Sequence, residues 1–335
     1  MALAPYASTG QRIWYYSFRV ICGFILFFLI APIITIIPLS FNAQDFFTFT
    51  PEMLRLDPEG YSLKHYREFF GTEGSPGFGL MVGLVIGVIA SVALYFWRGV
   101  INVLPIIVGA ALGLIIGKMW GVEGTEWMTP LKNSLKIAPV ATLISVSLGT
   151  LAAIGLSQSH VPFRRAIMAI LISPMIVPLI ISAAGMYFFY SRIGLQGTYW
   201  GVVLSHAALG VPFVIITVTA TLVGFDKSLT RASANLGANP VTTFFRVQMP
   251  LILPGVISGG LFAFITSFDE VVVVLFVGSV GQQTLPWQMF TGLREQISPT
   301  ILAAATVLIS ISVVLLVTLE LLRRRSERLR GMSPS

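Results

Sequence analysis

Long apolar runs, each close to the length of a membrane crossing, are what most constrain this chain. A helix needs about 20 apolar residues to span a bilayer. Runs of that order fall at about 20–40, 79–97, 100–117, 133–156, 166–190, 201–223, 251–280 and 300–322. No water lies between those boundaries, so each run must satisfy its own backbone donors and acceptors, and a helix does so. The expected fold class is all-α, a polytopic membrane protein with about eight transmembrane helices. Charge supports it: only 10% of the 335 residues are charged, against about 25% in a soluble domain.

The same arithmetic excludes other classes. A single Cys22 allows no disulfide framework, and three scattered histidines offer no metal-ligand spacing. No cofactor is expected. The net charge of +7 is modest and does not argue for nucleic acid. Membrane orientation explains it better. With both termini inside, the cytoplasmic set holds Arg12, Arg19, Arg98, Arg164, Arg165, Lys227, Arg231, Arg246 and the tail RRRSERLR, the larger share of the 21 basic residues. Arg12 and Arg19 precede the first run, which is longer than the roughly 7–15 apolar residues of a signal peptide. It reads as a retained anchor. Residues 79–117 read as a separate hairpin with a very short connection at Trp97-Arg98-Gly99. Its small residues could pack against a neighbour, or it could face lipid.

One polar stretch interrupts the second half, FDKSLTRASANLGANPVTTFFRVQMPLILPG at residues 225–255. Leu229 to Leu236 reads as an amphipathic helix. Gly237 can take the left-handed conformation that ends it. Asn239 can cap a second helix, with Pro240 at its first position. Such an elbow on a membrane protein suits docking to a soluble partner. An ordinary surface helix between two spans is the plainer reading.

Thr230-Arg231-Ala232-Ser233-Ala234-Asn235-Leu236-Gly237, followed by Leu253-Pro254, resembles the EAA loop of ABC-importer permeases. Ser267-Phe268-Asp269-Glu270-Val271-Val272-Val273 resembles a run of the spermidine/putrescine-type permeases within that group. Thr284-Leu285-Pro286-Trp287, Ile297-Ser298-Pro299-Thr300, Tyr61 to Tyr66, Asn133-Ser134-Leu135 and His206 to Pro212 are similar to the same group. The likeness covers about 20–75 and 125–325 and points to the second (C or I) permease of the pair. It implies a six-helix core with the hairpin 79–117 inserted. It also implies a coupling helix seated on an ATPase, formed here by Arg231, Ala232, Ser233, Asn235, Leu236, Gly237, Ala238, Asn239 and Pro240. The expected partners are a second homologous permease, an ABC ATPase dimer, an extracytoplasmic solute-binding protein and the lipid bilayer. The expected location is the bacterial inner membrane. Two residues depart from the family pattern: Arg231 stands where the family has Glu, and Ser233 where it has Ala.

The implied organisation is a cytoplasmic N-tail (1–19), a first membrane helix (20–40), an extracytoplasmic loop (41–78) and the inserted hairpin (79–117). A permease core (125–322) follows, with its cytoplasmic coupling loop at 224–250, and then a basic tail (323–335).

Asp269 and Glu270 are the most unusual pair. They interrupt the apolar run 251–280, and a continuous helix from Pro254 would carry Asp269 about 22 Å along its axis, beyond the midplane. A carboxylate there costs about 3 kcal/mol to insert and usually faces a cavity or a partner. Asp269 facing a passage would attract an ammonium group, with Glu270 held in a structural pair. Structural pairing of both is the plainer alternative. Tyr187, Phe188, Tyr190 and Trp287 could line the same passage, since cations sit well over aromatic faces. Aromatics near membrane boundaries are also common interfacial anchors. Pro139, Pro174 and Pro178 bend or break their helices, and His206 can hydrogen-bond a neighbouring helix.

The chain lacks a GxxxxGK[ST] phosphate loop, so nucleotide chemistry would belong to a partner. The expected function is the permease subunit of a binding-protein-dependent importer for a polyamine or a related small nitrogen compound. The alternatives are a stand-alone secondary transporter or channel, and a membrane enzyme. No internal repeat supports the former. No catalytic constellation supports the latter.

Overall fold

The computed structural model describes residues 8–70, 83, 87, 91, 105–110, 113, 126–158, 161–295 and 298–329. The described residues are overwhelmingly helical. The first helix, α1 (Thr9–Leu39), opens on a capping box in which Ser8 and Gln11 bond reciprocally. It therefore starts well before the expected 20–40. None of its most apolar stretch is buried within the chain.

After α1 the backbone folds into a small polar knot. Ser40 Oγ lies 2.7 Å from Tyr66 Oη, and Asn42 Nδ2 donates to the carbonyls of Phe46 and Thr48. The next helix, α2 (Lys64–Phe70), buries His65, Tyr66, Phe69 and Phe70. These pack with Trp127, Met128 and Leu131 and with Ile301, Ala304 and Val307 of the last helix. Thr300 donates to Glu68 across the same contact.

The centre is three helices: α3 (Met128–Leu156), then, beyond α4 and α5, α6 (Tyr199–Val223), and the long helix that returns from the polar elbow. Small residues set their spacing. A Cβ on Gly210 would collide with Ser145 and Ala263, and one on Gly259 with Val214 and Thr217. Close backbone approach of this kind is how helices associate without a hydrophobic drive between them. Ser145 Oγ donates to the Ala207 carbonyl, a tie between α3 and α6.

Two expected spans differ in the structure. The run 166–190 is not one helix: α4 (Arg164–Ile176) and α5 (Leu179–Ile193) meet at 103°. Pro178 has no N–H to continue the ladder and pushes Val177 into extended backbone (φ −68°, ψ 136°). The run 251–280 is also broken. After α7 (Lys227–Asn235), helix α8 runs from Pro240 to Phe268 through a π turn at Phe244–Gln248, and stops there. A separate α9 (Val272–Val277) follows, then α10 (Leu285–Glu295) and α11 (Thr300–Leu329).

Among the described residues, four helices are long and apolar enough to cross a membrane, or five if the bent α4–α5 pair is one span. Most of the hairpin 79–117 lies outside the described residues. Those of its residues that are described are helical, and a Cβ on Gly83 would fall on the Gly109 carbonyl. The small residues at these positions are thus used between the two arms of the hairpin.

Candidate functional site

The elbow is built almost entirely by local bonds. Asp226 caps α7, accepting from the backbone N–H and the hydroxyl of Ser228. Those two bonds, with a weaker contribution from Arg231, hold its carboxyl below the usual carboxylate range. At the other end Gly237 takes φ 81°, and its N–H and that of Ala238 return to the carbonyls of Ala234 and Ser233. Asn239 then accepts from the Thr242 N–H at 2.7 Å, with Pro240 at the first helical position.

The structure brings these sequence-predicted residues together and sorts their faces. Arg231, Ala232, Asn235, Leu236, Gly237, Asn239 and Pro240 are exposed, and Ala238 is half-buried. Leu236 is 88% exposed, an apolar side chain held out from the elbow. Ser233 turns the other way. Its hydroxyl lies 2.9 Å from Thr243 Oγ1 and donates to the Thr230 carbonyl. This staple fixes α7 against the start of α8. Sequence reading missed it, because Thr243 carries no signal of its own until the elbow folds.

The second region is the gap between α8 and α9. Asp269 is the C-cap of α8, its N–H bonded to the Ile265 carbonyl. The helix runs unbroken from Pro254 to Phe268, so Asp269 does stand about 22 Å along it, but the helix stops there instead of continuing to 280. Its side chain is exposed and makes no hydrogen bond or ion pair among the described residues. Glu270 is buried, and its Oε1 accepts from the Val273 N–H at 2.9 Å. The two carboxylates thus have different jobs. Glu270 starts α9, and Asp269 stands free at the break.

Just before the break, His206 Nδ1 on α6 lies 2.8 Å from Ser267 Oγ in a fully buried pair. α9 lies against α5 and α6. Trp287 is half-buried and packs on the apolar cluster around Val273, Val274 and Val277. Tyr187, on α5, is partly exposed and stacks edge-on to Phe188. Asn133 and Ser134 tie the segment after α9 to α3. Asn133 Nδ2 donates to the carbonyls of Gly281 and Gln283, and Ser134 Oγ accepts from the Leu285 N–H. An Asn-Ser pair at the head of an apolar run was the one sequence signal for that tie.

The family model described as a binding-protein-dependent transport system inner membrane component matches residues 145–329. The chain belongs to that family. The matched region takes in the elbow, the helix break and the whole of α6 and α8. This permease is 32% identical over 194 residues to the spermidine/putrescine transport system permease protein PotC of Haemophilus influenzae, covering 58% of this chain and 76% of that protein. It is 28% identical over 234 residues to PotC of Escherichia coli, covering 67% and 89%. It is 29% identical over 212 residues to the putrescine transport system permease protein PotI of Escherichia coli, covering 57% and 74%. In fold it matches a chain of the crystal structure of a bacterial ABC transporter involved in the import of the acidic polysaccharide alginate. The TM-score is 0.59 at 16% identity, covering 94% of the permease and 97% of that chain.

Proposed function

We propose that this permease forms the transmembrane path of an ATP-driven importer for a polyamine. It would pair with a second, homologous permease, receive substrate from an extracytoplasmic binding protein and dock an ATPase dimer on its elbow. Hydrolysis then belongs to the ATPase. Both termini and the elbow lie in the cytoplasm, and the Asn42–Tyr61 knot lies outside. The observation that carries the reading is the elbow itself. Two capped helices share a left-handed glycine, and Leu236 is held out of the fold in a chain of this family.

The polyamine assignment draws on the relatives named above and on Asp269. A free carboxylate at a helix break, beside an apolar helix, is a fit for an ammonium group. Arg231, Ala232, Asn235, Leu236, Gly237, Ala238, Asn239 and Pro240 form the surface that receives the ATPase stroke, with Ser233 holding it from behind. Trp287 packs on the apolar cluster of α9 beside the Asp269 carboxylate, and Tyr187, exposed on the neighbouring α5, is assigned to the same path.

ATP-dependent uptake of labelled putrescine and spermidine tests this. The vesicles hold the permease with its partner permease, ATPase and binding protein, each left out in turn. Uptake is expected to vanish with any omission. Uptake that persists without the ATPase would make the protein a secondary carrier. A complete assembly that moves no polyamine would leave the importer and remove the substrate class.

A further inference from the structure

The elbow exposes a charge pattern as well as a shape. Residues 224–250 hold three basic residues, Lys227, Arg231 and Arg246, and one acid, Asp226. That acid is already engaged at both oxygens by Ser228. Arg231 is exposed on α7 and forms no ion pair among the described residues. Five residues on, at the C-cap of α7, Leu236 stands 88% exposed. The staple from Ser233 to Thr243 and the left-handed Gly237 fix the backbone that carries both residues. The elbow therefore exposes an apolar knob and, on the same short helix, a guanidinium that has no salt bridge among the described residues and only a weak interaction with Asp226.

A guanidinium covered by a partner without a counter-charge would lose its water and gain nothing in return. Bidentate pairing with a carboxylate avoids that cost and sets register. We infer that the ATPase of this importer presents a carboxylate at the rim of the groove that seats Leu236, and that this carboxylate pairs with Arg231. The inference rests on the reading of the elbow as the ATPase contact. It goes beyond that reading by fixing the sign of the partner surface. The permease then selects its own ATPase from others in the cell whose grooves are basic at that point.

The test uses the complete importer in proteoliposomes, with Arg231→Lys, Arg231→Ala and Arg231→Glu. ATPase retained on the washed complex and ATP hydrolysis stimulated by loaded binding protein are both measured. Arg231→Lys should stay within about threefold of the parent, and Arg231→Glu should fall by more than about tenfold. A cross-link from Arg231→Cys identifies the facing stretch of the ATPase. Changing its Asp or Glu to Lys should restore the Arg231→Glu complex. Equal activity across the series, or a gain in Arg231→Glu, would overturn the inference. So would a loss in Arg231→Glu that no acid-to-Lys change in the cross-linked stretch repairs. A loss that follows the anionic lipid content of the vesicle, with ATPase retention unchanged, would also overturn it and assign Arg231 to headgroups. Leu236→Asp separates the two levels. If it abolishes retention while the Arg231 series is flat, only the charge inference falls. If it leaves retention intact, the elbow is not the ATPase contact.

Discussion

Asp269 and Glu270 are neighbours with opposite fates, and the difference is one of satisfied bonds. Glu270 is 6% exposed and caps α9 through the Val273 N–H. Glu270→Ala removes that acceptor and leaves a buried donor unpaired, which should cost about 1–2 kcal/mol. Glu270→Gln keeps an acceptor oxygen and should cost less. Thermal unfolding of the detergent-solubilised protein reads the order, and equal loss in both variants would refute the capping role. Asp269 has no such duty. Asp269→Asn should leave assembly and melting temperature unchanged while slowing uptake of a cationic substrate about tenfold, equivalent to about 1.4 kcal/mol. Unaltered uptake kinetics would remove Asp269 from the path. Sequence reading found both residues by the oddness of two acids in an apolar run. It could not divide their roles, because the division depends on a helix stop that the run Val271–Val277 conceals: five valines, a leucine and a phenylalanine read as more of the same span.

At the scale of elements, the elbow was the most legible part of the chain. Gly237, Asn239 and Pro240 each have one preferred place at a helix boundary, and the structure puts each there. Gly237→Ala forces a Cβ into the left-handed region at a cost of about 1 kcal/mol. It should lower coupled ATP hydrolysis more than it lowers binding-protein docking. The knot under α2 makes a separate prediction. Burial pulls His65 below its usual 6.5, with Lys64 adding to the effect and the Gln44 backbone, Asp45 and Glu68 opposing it. The unfolded chain therefore takes up this proton first as pH falls. The contribution to stability is whole above 6.5 and shrinks below it until the folded His65 also protonates. Melting temperature should drop between about pH 7.5 and 5, and His65→Gln should drop less over the same range. The α4–α5 bend was only half legible. Pro174 and Pro178 announced a disturbance, but a proline inside a helix can kink it or end it. Pro174 stays helical, whereas Pro178, with an extended Val177 before it, turns the chain by 103°.

For the whole molecule, apolar run length gave the class and the helix content, and was least able to say which runs cross. Length counts residues, and a crossing depends on direction. The basic residues supply that direction through the proposed topology. A cytoplasm-dependent fluorescent reporter at the C-terminus should be active, and the same reporter placed after Asp57 should be dark. The reverse pattern would invert the protein. α1 belongs to this scale too: it touches α11, but none of its most apolar stretch is buried, which leaves that stretch for lipid or for the proposed second permease. Last, α8 has no joint between Pro240 and Phe268. Its 29 residues make a rod of about 43 Å at 1.5 Å per residue. The exposed knob is mounted at one end and the free carboxylate at the other. Under the proposed docking, a tilt imposed at the elbow end would reach Asp269 through this rod, softened at the π turn at Phe244–Gln248 and at Pro254 within the helix. In the proposed importer, chemistry on one side of the membrane would then move a charge near the other side in a single mechanical step.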